Sequence, residues 1–140
     1  MGELYIQNDT FSNDNGLKSV DFWAPLMTEL LPIFTEVEVR CKETEKEMRN
    51  IIKPFAHTIR FETDLVIFTM PLNQKLKNLF LHSIRSNKIM WYSLRFKKNG
   101  YLICSVEDYG AKFHFNQITN SEAIHIQTYF QKDTVFHYKE

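Results

Sequence analysis

The sequence predicts an α+β fold: a single domain with a mostly antiparallel, twisted sheet, about three helices packed mainly on one face, and a carboxy-terminal β-meander. Its length supports this, because 140 residues suit one domain that buries a core without disulfides or metals. Its composition agrees, since 44% of the residues are apolar and the 14% aromatic share indicates a bulky, sheet-rich core. Helical and strand-like patterns also alternate over residues 1–140, and no linker divides them.

The clearest element is a β-hairpin over residues 88–107, where two runs rich in β-branched and aromatic residues flank a Lys-Lys-Asn-Gly turn. A two-residue loop, Asn99-Gly100, would leave both faces of a regular hairpin mixed in polarity. A three-residue loop over residues 98–100, with Gly100 in the left-handed conformation, makes one face apolar, and we predict this register. That face carries Met90, Tyr92, Leu94 and Phe96 together with Leu102, Cys104 and Val106.

The amino-terminal part shows strand and helix patterns in alternation. Apolar residues recur at helical spacing over residues 21–31, which predicts a helix. Residues 34–42 switch to a period of two and predict a half-exposed strand. The Thr-Glu-Lys-Glu motif at residues 44–47 matches a capping box and predicts a second helix, which Pro54 ends. A short strand at residues 4–7 and a polar loop at residues 8–18 complete this part.

Two further strands and a third helix are predicted before the hairpin. The strands cover residues 57–62 and 65–70, and the second is apolar on both faces, which is typical of a central, covered strand. Pro71 suits the first position of a helix because its missing N–H would be unpaired there in any case. The apolar side chains of that helix are Leu72, Leu76, Leu79, Phe80 and Ile84.

Beyond the hairpin the patterns favour strands at residues 112–118 and 134–138. The stretch between them, residues 122–130, is ambiguous. Its isoleucines alternate as in a strand, whereas Ser121 ahead of Glu122 could also begin a helix. We predict a strand.

Charge and local motifs exclude several classes of function. Seventeen basic residues balance seventeen acidic ones, so no overall field favours nucleic acid, and dedicated nucleic-acid binding is not expected. We expect no membrane association, because the apolar runs are too short to cross a bilayer. We also expect a cytoplasmic location. The four glycines form no phosphate-binding loop, and no Gly-x-Ser-x-Gly elbow is present. We therefore predict no catalytic residue and no cofactor.

The cysteines and histidines could still carry chemistry. Cys41 and Cys104 lie in strand-like runs, and we interpret them as buried thiols, although the sequence leaves a disulfide open. The five histidines show no metal-ligand spacing, so no metal site is predicted. If the last strands form a meander, His114, His125 and His137 could approach one another. Exposed or locally bonded histidines on a polar sheet face are the favoured interpretation.

One surface has the composition of a protein interface. In the predicted hairpin register, Trp91, Arg95, Lys97 and Tyr101 share one face, and aromatics mixed with arginine are typical of interface hot spots. We predict that these four residues bind a protein partner. A helix packed over this face would explain the pattern equally well.

Three classes of function follow, largely by elimination. The first is a non-enzymatic protein-binding module, in the extreme case an immunity or inhibitor protein that neutralises a toxin or enzyme. The second is a small-ligand-binding domain with an aromatic cavity between sheet and helices. The third is a hydrolase-type enzyme that uses His114, His125 or His137 with Glu107 or Asp108. We predict the first class.

Overall fold

The computed structural model describes residues 1–8 and 19–140 and shows an α+β domain with an eight-stranded antiparallel sheet and four α-helices in the described part. The predicted fold class is confirmed. The polar loop predicted at residues 8–18 lies outside the described residues except for Asn8. Where the structure is described, no helix is long and apolar enough to cross a membrane.

The elements largely follow the predicted order. The strands are β1 Gly2–Gln7, β2 Glu36–Lys42, β3 Thr58–Glu62, β4 Leu65–Pro71, β5 Ile84–Arg85, β6 Lys88–Ile89, β7 Ser93–Lys98, β8 Tyr101–Glu107, β9 Lys112–Ile118 and β10 Val135–Lys139. The helices are α1 Trp23–Leu30, α2 Lys46–Ile52, α3 Gln74–Leu81 and α4 Asn120–Gln127, with short 3₁₀ turns at Leu31–Ile33 and Lys53–Phe55.

The large sheet has the strand order β10-β1-β9-β8-β7-β2-β4-β3, and β5 and β6 form a separate ribbon. The predicted meander is confirmed for β7, β8 and β9, which are neighbours in sequence and in space. The last strand does not continue it. After α4, β10 pairs with the far side of β1, so the first strand of the chain lies between β9 and β10.

All four helices contribute side chains to one apolar core on one face of the sheet. Trp23 of α1 donates its indole N–H to the carbonyl of Phe80 of α3 at 2.6 Å, and this bond satisfies a polar group that is fully buried. The Phe80 ring then packs edge-on against Phe96 of β7. Each such buried side chain contributes roughly 1.5–3 kcal/mol through burial alone. The helices therefore stabilise the sheet by keeping the apolar side chains of this face out of water.

The predicted register of the β7–β8 hairpin is wrong at its turn. The loop has two residues, Asn99 and Gly100, both with positive φ, as a type I′ hairpin requires. A β-bulge between the Phe96 and Lys97 pairs then shifts the register by one residue, with Ile103 as the extra residue. The bulge therefore returns the apolar residues to one face despite the short loop. Those that face the core are Leu94, Phe96, Cys104 and Val106.

The hairpin is also shorter than predicted. Residues 88 and 89 form β6 and pair with β5 through a turn at Ser86 and Asn87, both of which have positive φ. Met90 to Tyr92 belong to no strand, and β7 begins at Ser93. The continuous strand that the β-branched and aromatic run predicted is therefore interrupted at residues 90–92.

The predicted strand at residues 122–130 is wrong, because most of this stretch is helix α4. The Thr119 hydroxyl accepts the backbone N–H of Glu122, and the Glu122 carboxylate accepts that of Thr119, which makes a complete capping box. The capping box predicted at residues 44–47 is absent from α2. Glu45 precedes that helix without capping it, and its carboxylate accepts the backbone N–H of Lys42.

Helix α3 begins three residues later than predicted. Pro71 is the last residue of β4, and Asn73 caps the helix by accepting the N–H of Leu76 at 2.8 Å. The interpretation of the cysteines as buried thiols is confirmed, since Cys41 and Cys104 are both free and buried.

Gly100 and Gly110 have the same φ of +86°. Replacing each with alanine therefore distinguishes the cost of backbone strain from the cost of a steric clash. Gly100→Ala should cost about 1–2 kcal/mol, because only the left-handed conformation opposes a side chain there. Gly110→Ala should cost about 1–3 kcal/mol more, because the new Cβ would overlap the side chain of buried Ile89. Urea unfolding of both variants measures the difference, and equal losses would contradict it.

Candidate functional site

The side of the sheet opposite the helices carries mainly charged and polar side chains, and we call it the open face. Residues paired across neighbouring antiparallel strands project from the same face, so the strand register fixes its membership. Its charged and aromatic members, with buried Ile67, are Glu3, Tyr5, Glu36, Glu38, Arg40, Lys42, Arg60, Glu62, Ile67, Arg95, Lys97, Glu107, Lys112, His114, His137 and Lys139. The same register places the smaller polar and the other apolar side chains Gln7, Thr58, Leu65, Thr69, Pro71, Ser93, Leu102, Ser105 and Val135 on this face.

Glu38 lies at the centre of an ion-pair network on this face. One carboxylate oxygen accepts Nε–H of Arg40 at 2.8 Å, and the other accepts from Arg60 at 3.2 Å. Glu62 lies within 4 Å of both guanidinium groups. Burial alone would raise the pKa of Glu38, but the hydrogen bonds and charges of the two arginines outweigh it and hold that pKa below its usual value.

The same two arginines explain why β4 is apolar on both faces. Ile67 is fully buried on the open face, and it lies directly opposite Arg40 on β2 and Arg60 on β3. Arginine side chains bury their aliphatic stems while the charged ends stay in contact with water or a carboxylate. The covered strand predicted from sequence is therefore covered on this side by arginine side chains and not by a helix.

The structure separates the four residues predicted to bind a partner. Arg95 and Lys97 lie on the open face, where Arg95 pairs with Glu107 at 3.2 Å and Lys97 lies 3.9 Å from Glu36. Tyr101 is 65% exposed, but it lies opposite Lys98 and so projects from the other face.

The placement of Trp91 on an exposed face is wrong. This side chain is 1% exposed and packs edge-on against Phe80, so it belongs to the core beneath the helices. The regular hairpin assumed from the sequence would have carried the strand back to residue 88. Because β7 begins at Ser93, the alternation that placed Trp91 beside Arg95 does not apply.

The approach of three histidines, which the sequence left open as an alternative, does not occur. His114 and His137 lie on either side of Tyr5, whose ring stacks on His114 with 4.3 Å between the centroids. They border a shallow depression of about 340 Å³, and His114 also contacts Glu3 at 3.2 Å. His125 lies on α4 and pairs with Glu29 of α1 at 2.8 Å. No group of three potential metal ligands forms among the residues described.

Neither cysteine has the environment of a nucleophile. Burial raises the pKa of the Cys41 thiol to about 12, with a further contribution from the nearby Glu45 carboxylate. Complete burial raises the pKa of Cys104 as well. A reactive cysteine needs a lowered pKa and solvent access, so both thiols act as small apolar side chains of the core.

A second concave region, which we call the end cavity, lies between the sheet and two helices, α1 and α4. It encloses about 300 Å³, with Lys98 and Glu122 at its edge. Two backbone irregularities border it: the bulge residue Ile103, and Gln117 with a φ of 58°. Sequence reasoning considered a cavity between sheet and helices but could not place it, because neither irregularity has a sequence signature. The apolar residues that line it are Met1, Leu30, Ile33, Phe34, Ile103, Phe115, Ile118 and Ile126.

A cluster that sequence reasoning missed surrounds Lys42. Its ammonium group lies 5.0 Å from the ring centroid of Tyr92 and 5.3 Å from that of Tyr109, within cation–π distance of both. The Tyr109 hydroxyl donates to Glu45 at 2.9 Å, and burial together with this bond raises the pKa of Tyr109. These residues are up to 67 positions apart, so no local spacing could reveal the cluster.

The comparisons with known proteins give no family for this chain. No protein-family model, no curated protein and no solved structure matches it.

Replacing Glu38 tests whether the ion-pair network stabilises the sheet. Glu38→Gln should lower the free energy of unfolding at pH 7 by about 1–3 kcal/mol, because Arg40 and Arg60 lose their buried carboxylate. Since folding lowers the pKa of Glu38, its contribution is present above the unfolded carboxyl pKa of about 4.3 and is lost as the pH falls.

Urea unfolding of wild type and variant from pH 7 down to pH 3 measures this difference, which should shrink with acidity. Glu62→Gln is the matched control, because Glu62 contacts the same arginines but is half exposed, and it should cost less than about 1 kcal/mol. A loss for Glu38→Gln that stays constant across the pH range would contradict the assignment.

Proposed function

We propose that this chain is a non-enzymatic, cytoplasmic protein-binding module whose partner docks on the open face, with Arg95 and Lys97 in the contact. In the extreme form of the proposal, the partner is a toxin or enzyme that the chain neutralises. The observation that supports it most is the one-sided packing of the sheet, since all four helices join the core on the other face.

The size of the open face fits a protein footprint. Eight strands spaced about 4.8 Å apart span about 34 Å, and strands of this length extend for about 20 Å. The product, roughly 700 Å², approaches the roughly 800 Å² that each partner contributes to a standard interface. A small ligand would occupy only a fraction of such a surface.

The chemistry of the open face also favours a protein. Three of the chain's five arginines lie there, together with the partly exposed Tyr5, and arginine and tyrosine are enriched at interfaces. Ion pairs hold Arg40, Arg60 and Arg95 in fixed positions before a partner arrives, so little side-chain entropy remains to be lost. Because cations and carboxylates alternate, the partner should carry both signs of charge.

Neutralising two cations of the open face tests the proposal. The tagged chain is used as bait in its native lysate with the product of the neighbouring gene co-expressed, and captured proteins are read by mass spectrometry. The double variant Arg95→Gln/Lys97→Gln should bind a stoichiometric partner with at least about tenfold lower affinity, because two charged contacts are removed. Titration of the purified partner measures the change in affinity.

The matched control is Lys75→Gln/Lys77→Gln, two cations with the same spacing on α3, which should leave the affinity unchanged. Thermal unfolding of both double variants verifies that the fold persists. Equal binding by wild type and Arg95→Gln/Lys97→Gln would show that the open face is not part of the contact. Absence of any stoichiometric partner would overturn the proposed function.

The end cavity supports a second candidate, the binding of a small, mostly apolar molecule. Its volume of about 300 Å³ is at the lower end of ligand pockets, and its walls are mostly apolar, with the charged Lys98 and Glu122 at the edge. An apolar chain ending in a carboxylate would match this arrangement, because the carboxylate could pair with Lys98 while the chain contacts Phe34 and Phe115.

Octanoate is a suitable probe for the end cavity. Calorimetric titration should detect binding to wild type, and Ile103→Phe should reduce it at least about tenfold because the larger side chain fills the cavity. Ile124→Phe, the same change at an exposed position of α4, should bind octanoate like wild type. No binding to wild type, or equal binding by both variants, would reject the second candidate.

A further inference from the structure

Strand β3 ends the large sheet at one edge and exposes apolar side chains there. It pairs with β4 and with no other strand of the described residues, and all five of its residues are exposed. Phe61 is 73% exposed, the highest value among the large apolar side chains described after Met1, and Ile59 is exposed beside it. Backbone N–H and C=O groups on the outer side of such a strand can pair with another chain.

Edge strands usually carry features that prevent such pairing, among them a proline, a bulge or an inward-pointing lysine. Residues 58–62, Thr-Ile-Arg-Phe-Glu, contain no proline or lysine, and their pairing with β4 is regular throughout. The two charged residues of this strand, Arg60 and Glu62, have opposite signs, so they need not repel a second copy. We propose that β3 pairs antiparallel with β3 of a second copy of this chain, so that the two sheets continue through a two-fold axis at Phe61.

Charge complementarity selects this axis. With Phe61 opposite Phe61 of the second copy, each Arg60 lies opposite Glu62, so two pairs of opposite charge form on the open face. The two exposed rings meet across the axis on the other face. With the axis at Arg60 instead, two arginines would lie directly opposite each other, which is unfavourable.

The Arg60 and Glu62 pairs would also extend a network that already exists. Arg60 contacts Glu38 at 3.2 Å and Glu62 of its own strand at 3.6 Å. Both side chains are about half exposed, so they can reach a second copy without leaving these contacts. The network of charges would then run continuously from one copy to the other.

The opposite edge of the sheet lacks this complementarity. Strand β10 exposes Val135 to 65%, but a two-fold axis at its centre would place His137 opposite His137 and Val135 opposite Lys139. No pair of opposite charges forms there. With the axis at Phe61, only Arg60, Phe61 and Glu62 of β3 lie opposite strand residues of the second copy. This contact buries far less than the roughly 1,200 Å² of a standard interface, so it should give a weak, concentration-dependent dimer.

Disulfide trapping at β3 tests the axis directly. Cβ atoms of residues opposite each other in an antiparallel pair lie about 4.5–5.5 Å apart, so Phe61→Cys should cross-link to its counterpart under mild oxidation. Arg60→Cys and Glu62→Cys should cross-link at least about tenfold more slowly, because their counterparts are displaced along the strand. Cys41 and Cys104 are buried and should not react.

Sedimentation velocity from about 5 to 500 µM measures the association without a cross-link. Wild type should shift towards the dimer as concentration rises, Phe61→Lys should remain monomeric, and Val135→Lys should behave as wild type. Thermal unfolding verifies that both variants fold. A monomer at every concentration, a dimer insensitive to Phe61→Lys, or fastest cross-linking at Arg60→Cys would overturn the proposal.

Discussion

Burial of one face of the sheet beneath four helices is the constraint on which the rest of the structure depends. The contact is anchored by Trp23, whose indole group is fully buried and bonded to the Phe80 carbonyl, and by the packing of Phe80 on Phe96. A sheet that buries only one face needs apolar residues at alternate positions alone. The other positions of the central strands are therefore available for charged side chains.

The open face is held together by a different interaction. Glu38 is buried and paired with two arginines, so removing it leaves two guanidinium groups without their carboxylate, which costs more than the pair itself contributes. The same arginines cover Ile67, so charge pairing and apolar burial depend on each other there. A surface with fixed charges suits recognition of a protein, because its side chains are already ordered.

Irregular backbone decides where the other features lie. The bulge at Ile103 lets a two-residue type I′ turn coexist with a uniformly apolar strand face, and it also borders the end cavity. One inserted residue is therefore part of both the tight hairpin and the border of the end cavity. At the far end of the sheet, regular pairing leaves β3 as an exposed edge with Phe61 on it.

The sequence by itself determined the α+β class, most elements and the one-sided core, because periodicity of apolar residues reports directly which side chains are buried. It also placed Arg95 and Lys97 correctly on a polar sheet face. It could not place Trp91 or bring β1 between β9 and β10, because strand order and the shift at Ile103 depend on contacts between distant segments. Only the tertiary structure decided these, since backbone pairing between distant strands has no local signal.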